Sequence, residues 1–317
     1  MKSKIFAILG IIIIFAIIFA VFYLGILSKK EKITDFRGEG KLKIVATLFP
    51  VYDMAKHIAG DKADVLLILP PGIEAHSFEP KPSDIVKINE ADIFVYTGRF
   101  MEQWAEDIIN GLDAKKVKVV DSSAGVKMAP AVFYNQDELK GATDPHIWLD
   151  FDNAKIMTEN IANALIEKDA ENEELYSQNL ENYKSELTDI DNEYIISLST
   201  CKNKEIIYTG HYAFGFLANR YGLKYLSAQG VSPDSESTVQ DFISLVSQIK
   251  KNNIGYIFYE ELSSPKIAQT IAGETSAKLL FLNAGHNLAK EDMEKGLTFF
   301  QILRYNLSNL ITGLVCE

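Results

Sequence analysis

The chain alternates short apolar runs with amphipathic stretches. KLKIVATLF (41–49) predicts a buried strand, and VYDMAKHIAG (51–60) a short helix stopped by Gly60. DVLLILP (64–70) and ADIFVYTG (91–98) predict a second and third strand. Between these two, Ser83 is placed to cap a helix running through Ile85 and Ile88, and FMEQWAEDIINGL (100–112) reads as a further helix ending near Gly111. Strands alternating with helices predict a mostly parallel sheet. From Asp152 to about Ser199 the pattern turns helical and charged. Ile161, Leu165, Leu175, Leu180, Tyr183, Leu187 and Ile190 supply an apolar stripe, and no proline interrupts it. A long connecting helix, with a shorter one before it, is expected there. Alternation then resumes, with strands at EIIYTG (205–210), NIGYIFYE (253–260) and AKLLFLN (277–283) and a last helix over 296–314.

The expected fold is α/β: two similar lobes, each a mostly parallel sheet flanked by helices, joined by a long helix. The boundaries are an N-terminal lobe at 42–168, the connecting helix at 169–200 and a C-terminal lobe at 201–317. At an offset of 164 residues, Ile85, Lys87, Asn89, Ile93 and Phe94 meet their identical counterparts Ile249, Lys251, Asn253, Ile257 and Phe258, which suits two related lobes flanking a cleft.

The N-terminus stands apart. Lys2 and Lys4 precede an uncharged stretch from Ile5 to Leu27. As a helix it would be roughly 34 Å long, enough for a bilayer core of about 30 Å. No A-x-A site follows, and no cysteine lies near its end to carry a lipid. Residues 1–28 therefore read as an uncleaved signal anchor, the alternative being a long cleaved signal peptide, and 29–41 as a charged linker. Either way the body is expected outside the cytoplasm.

Composition narrows the chemistry. With 32 basic and 43 acidic side chains the formal net charge is −11, and the first 40 residues are net basic, so the body is strongly acidic. That argues against nucleic-acid binding, which needs a basic footprint. Two cysteines, Cys201 and Cys316, exclude a cysteine-rich zinc module. They fit either two buried thiols or, outside the cell, one disulfide.

Four of the five histidines stand in telling places. His76 follows a strand and a P-P-G turn, His146 lies in DPHIWLD (144–150), His211 directly follows a strand, and His286 follows the last strand in FLNAGHNL (281–288). In an open α/β sheet, ligands bind beyond the carboxyl ends of the strands. Four imidazoles meeting in a cleft suit Zn²⁺, which takes four tetrahedral ligands, better than Mn²⁺, which favours oxygen. Asp144 and Glu260 are placed to orient imidazoles from behind, although Asp144 before Pro145 also fits a turn former. His57, inside a helix, reads as decoration. The sequence has no G-x-G-x-x-G, Walker loop or G-x-S-x-G elbow.

Together the motifs resemble the metal-binding solute-binding proteins of bacterial zinc and manganese ABC importers, the ZnuA/TroA-like group. The resemblance runs from about Lys43 to Cys316 through IVATLFPVYDMAKHIAG, HSFEPKPSDIVKINEADIFVYTG, DPHIWLD, GHYAFGFLANRYGL, VSPDSESTVQDF, IFYEELSSPKIAQTIAGET and RYNLSNL. It implies that His76, His146 and His211 are the first three metal ligands. Manganese-preferring members tend to carry a glutamate at the third, so His211 tilts the expectation to zinc. For the fourth it implies His286, in the place of a glutamate in L-N-x-L-E-G-L; Asn283, near the place of an aspartate used by other members, and a water are the alternatives. It also implies a nearly rigid connecting helix and a Cys201–Cys316 disulfide. Two features depart from the family pattern: residues 127–145 hold no histidine, where many zinc members have a His-rich loop, and a transmembrane anchor would replace the usual lipid.

The function implied is capture of a zinc ion outside the membrane by a monomer and delivery to an ABC permease with a cytoplasmic ATPase, without enzymatic activity. The alternatives are a manganese importer component, a metal-binding adhesin, and a zinc hydrolase with three histidines, a water and Glu260 as base.

Overall fold

Two parallel sheets with the same strand order organise the chain. In the computed structural model, the described residues are 36, 40–132, 142–233, 239–260 and 266–317. The first sheet holds β1 (Leu42–Ala46), β2 (Ala63–Leu67), β3 (Ile93–Tyr96) and β4 (Lys118–Asp121), in the order β2-β1-β3-β4. Its crossovers carry α1 (Phe49–Ala59), α2 (Pro82–Glu90) and α3 (Ala105–Ile109). Two long helices follow, α4 (Phe151–Lys168) and α5 (Glu173–Ser199). The second sheet holds β5 (Glu205–Tyr208), β6 (Lys224–Ser227), β7 (Tyr256–Glu260) and β8 (Lys278–Leu282), in the order β6-β5-β7-β8. With it come α6 (Gly215–Arg220), α7 (Val239–Lys251), α8 (Lys266–Thr275), α9 (Lys290–Glu294) and α10 (Phe299–Gly313). All strand pairs are parallel. The architecture is α/β with two lobes.

The central strands read as apolar runs because helices cover both faces. Ile44, Val45, Ala46, Phe94 and Val95 on β1 and β3 are fully buried, as are Ile207, Ile257 and Phe258 on β5 and β7. The pairs at the 164-residue offset fall on equivalent elements: Ile93 and Phe94 lie on β3, and Ile257 and Phe258 on β7, each strand third in its own lobe.

Several expectations are corrected. β4 and β6 escape the periodicity because each is a four-residue edge strand led by a lysine (KVVD, KYLS). Ser83 is not the cap of α2. Pro82 takes the first helical position, where its fixed φ suits the helix, so the cap falls on Lys81, whose N–H donates to Asp84 Oδ2 at 3.0 Å. The helix expected over 100–112 shrinks to five residues, α3. The chain before it turns around the buried Glu102 carboxylate, which accepts the Thr97 and Gly98 N–H groups, each at 3.0 Å, and the Thr47 hydroxyl. On α5 the buried stripe is Tyr176, Leu180, Tyr183, Leu187, Ile190, Tyr194 and Leu198, and Leu175 lies exposed one position off it.

Helix α5 runs 27 residues without a break. Its Tyr194 hydroxyl donates to the Leu303 carbonyl of α10 at 2.6 Å. Arg220 at the end of α6 grips Asp191 of α5 at 2.9 and 2.5 Å and reaches Asp152 of α4 at 2.9 Å. Cys201 and Cys316 form a disulfide that ties the C-terminus to the segment following α5.

Gly38–Glu317 is one compact unit. The stretch Ile5–Leu27 lies outside the described residues, as do parts of the 127–145, VSPDSESTVQDF and EELSSP segments. Among the described residues, no helix is long and apolar enough to cross a membrane.

Candidate metal centre

Four histidines meet where the strands of both sheets exit. His76 follows β2 and the Pro70–Pro71–Gly72 segment. Ile73 N–H donates to the Pro70 carbonyl at 3.2 Å, and Gly72 has φ +78°. That is a type II turn, whose third position requires positive φ and therefore favours glycine. His146 precedes a single 3₁₀ turn, Ile147–Leu149. His211 stands three residues beyond β5, and His286 four beyond β8. His146 and His211 are fully buried and His286 nearly so, while His76 is the most accessible of the four.

Their Nε2 atoms face one another: His146 lies 3.2 Å from His76 and 3.2 Å from His211, and His211 lies 3.1 Å from His286. One ligating atom from each residue fits within a 4.8 Å span. A tetrahedron of nitrogens at the usual zinc distance of about 2.0–2.1 Å has edges of about 3.3–3.4 Å, close to these separations.

The far side of two rings decides which nitrogen keeps its lone pair. His146 Nδ1 lies 2.8 Å from Asp144 Oδ1, and the same oxygen accepts the His146 backbone N–H at 3.0 Å. This short Asp-Pro-His turn explains why Asp144 sits two residues upstream. His211 Nδ1 lies 2.8 Å from Glu260 Oε1, although the approach lacks the alignment of a hydrogen bond. Glu260 gets there because it ends β7, the neighbour of β5. Carboxylates in this position keep the proton on Nδ1 and leave Nε2 free to donate to a metal. Facing Nε2 lone pairs repel unless a cation lies between them.

Electrostatics agree. Burial, with repulsion from His211, pushes His76 down to about 3. Burial and the neighbouring imidazoles hold His146 and His286 well below the usual histidine value. Burial pushes the Asp144 carboxyl up to about 8; a divalent ion on the other side of His146 works against that rise. His76, His146 and His286 are thus kept neutral, the form that ligates.

The depressed His76 value gives a testable sign. Below pH 6.5 the unfolded chain protonates this histidine and the folded metal-free protein resists. Its contribution to stability is therefore complete above pH 6.5 and falls by up to about 1.4 kcal/mol per pH unit down to about pH 3. Asp144, raised by burial, has the opposite slope, so the effect is isolated by difference. Metal-free His76→Asn is expected to gain stability relative to its parent as pH falls from 6.5 to 4.5, measured by urea unfolding. A constant difference would show that His76 titrates normally.

Asn283 Oδ1 accepts the Gly285 N–H at 2.7 Å and builds the turn leading to His286. His57 is elsewhere, its Nδ1 3.2 Å from Asp53 Oδ2 and its ring edge-on to Tyr183 and Phe300.

Residues 44–313 match the family described as ZnuA, zinc-uptake complex component A periplasmic. The chain belongs to this family. It is 34% identical over 297 residues to the high-affinity zinc uptake system protein ZnuA of Bacillus subtilis, covering 92% of each chain. Among solved structures it is similar to the Zn(II)-bound ZnuA-like domain of Streptococcus pneumoniae AdcA, at TM-score 0.75 and 35% identity over 87% of this chain and 99% of that one. It is also similar to the laminin-binding protein Lmb of Streptococcus agalactiae, described as bifunctional with adhesin and metal-transporting activity, at TM-score 0.76 and 32% identity over 86% and 99%.

Three residues around the histidine cluster escape sequence reasoning. Trp148 Nε1 donates to the Ala284 carbonyl at 2.7 Å, and Asn287 bonds the His76 turn. Both contacts span long sequence distances and have no local signature. Gly210 leaves room for Glu260: a Cβ there would lie 2.7 Å from Glu260 Oε2 and 2.9 Å from its Cβ. Its place immediately before His211 was the available signal. Gly210→Ala is expected to displace Glu260 and weaken metal binding about 10–100-fold, the usual cost of disturbing a ligand's outer partner. Chelator competition measures it, and unchanged affinity would make Glu260 a bystander.

Proposed function

We propose that His76, His146, His211 and His286 together hold one zinc ion through Nε2, with Asp144 and Glu260 orienting the second and third rings. The convergence of four imidazoles within 4.8 Å carries this reading. An all-nitrogen tetrahedral set suits Zn²⁺ and serves Mn²⁺ poorly. The family description and the zinc-binding relatives support the same ion.

The role we infer is capture and delivery. The body acts outside the cytoplasmic membrane, held by residues 5–27 or released after cleavage, and passes zinc to an ABC permease driven by a cytoplasmic ATPase. It acts as a monomer, with residues 42–168 and 201–317 as lobes joined by a rigid 169–200 segment. Four protein ligands leave no open position for the water that a zinc hydrolase needs, so binding rather than catalysis is the activity. A second reading, adhesion to a host surface, is favoured by the likeness to the bifunctional Lmb protein and is compatible with metal binding.

Mass spectrometry of protein purified under native conditions without a histidine tag tests the site. One zinc per chain is expected, weakened but not abolished in His286→Ala. An unchanged mutant would return the fourth position to Asn283 or water. Manganese, or no metal, in the parent would overturn the reading.

A further inference from the structure

The loop that brings His286 to the cluster is held by the other lobe more than by its own. Its carbonyls and amides meet first-lobe partners at five points, one of them the Trp148 indole on the Ala284 carbonyl. Phe49 N–H, at the start of α1, donates to the His286 carbonyl at 3.0 Å. Leu48, the cap residue of α1, provides no side-chain cap of its own, so this carbonyl takes that place. Gly72 N–H donates to the Leu288 carbonyl at 2.8 Å. The side-chain amide of Asn287 then donates twice, to the Pro70 carbonyl at 2.7 Å and the Ile73 carbonyl at 2.9 Å. Those two carbonyls belong to the first and last residues of the type II turn that delivers His76. The Asn287 oxygen accepts the Leu288 N–H at 2.8 Å, so all its polar atoms are used and the orientation of the amide is fixed by its partners. The side chain is buried, with only 2% of the residue exposed.

From this geometry we infer that Asn287 is a positioning residue for zinc retention, a clasp that locks the His286 loop of the second lobe to the His76 turn of the first. His76 and His286 come from different lobes, and His76 is the most accessible of the four histidines. For the ion to leave, the two loops must part, and the two Asn287 bonds resist that opening. Removing the amide takes a donor from each carbonyl and leaves Pro70 only the turn's own Ile73 N–H. The clasp therefore governs the rate of release more than the rate of capture.

The inference rests on the four-histidine reading, and a double-mutant cycle separates the two. Zinc-loaded full chain is mixed with excess chelator, and release is followed for the parent, Asn287→Ala, His286→Ala and the double variant, with Asn287→Ser, which offers one donor in place of two, run in parallel. Both Asn287 single variants are expected to release zinc at least about 10-fold faster, with association changed less than about 2-fold. In the His286→Ala background, Asn287→Ala is expected to add less than about 2-fold, because the ligand it positions is gone. Equal acceleration in both backgrounds, unchanged release in the single variants, or loss of the cooperative thermal transition in both of them would overturn the clasp. If His286→Ala itself left release unchanged, the four-histidine site would fail instead.

Discussion

Zinc affinity is expected to fall at least about 100-fold when His146 is replaced by alanine. This ring is the most constrained of the four. It is fully buried, its Nε2 faces both His76 and His211, and its Nδ1 rests on Asp144. Four-ligand zinc sites contribute about 10–16 kcal/mol at neutral pH, so one ligand's share is about 2.5–4 kcal/mol, or about 100- to 1,000-fold. The truncation also leaves the buried Asp144 carboxyl without its ring partner, a cost carried by the metal-free protein as well. Competition with a chelator of known affinity gives the number. A loss below about 10-fold would mean that His146 is not a ligand.

Breaking the Cys201–Cys316 bridge is expected to act on stability alone. The disulfide closes a loop of 115 residues. In the chain-entropy account such a loop contributes about 4–5 kcal/mol, and measured losses run about 2–5 kcal/mol. Several backbone bonds hold the same junction, Lys202 N–H to the Val315 carbonyl at 3.2 Å and Asn203 N–H to the Leu314 carbonyl at 3.0 Å among them, so part of the order survives reduction. We expect Cys201→Ser to cost about 3 kcal/mol in urea unfolding. Zinc affinity should stay within about 2-fold, because Cys201 lies before β5 and His211 beyond it, at opposite ends of the same strand. Coupled loss of affinity would show that the bridge supports the site. Two free thiols in the denatured, unreduced parent would contradict the bridge itself.

How far the sequence was legible follows from the physics of each element. Strands such as β3 and β7 announce themselves because burial on both faces demands continuous apolar residues. β4 and β6 do not, because an edge strand of four residues needs little apolar character. The shortening of α3 was hidden in Glu102, whose carboxylate is consumed by backbone N–H groups that no helical pattern foretells. His76, His211 and His286 stood out because they follow strands, and strand ends in a parallel sheet share one edge; His146 stood out only through its DPHIWLD setting. The placement of Asp144 was local, two residues from His146, and that of Glu260 followed from ending a strand. The roles of Asn287 and Trp148 depend on which loop of the opposite lobe lies across from them, and only the assembled fold supplies that. The two-lobed plan was legible in the alternation and the 164-residue offset, whereas the disulfide came with the resemblance, because composition alone left the cysteines open.

The central claim, one zinc held by four imidazoles, is tested most directly by zinc X-ray absorption on the loaded protein. The account predicts a single shell of four nitrogens at about 2.0–2.1 Å with the multiple-scattering signature of four imidazole rings. His286→Ala should show three rings, with a non-imidazole donor such as water completing the shell. Three rings in the parent, a carboxylate at short distance, or a six-coordinate shell would contradict it.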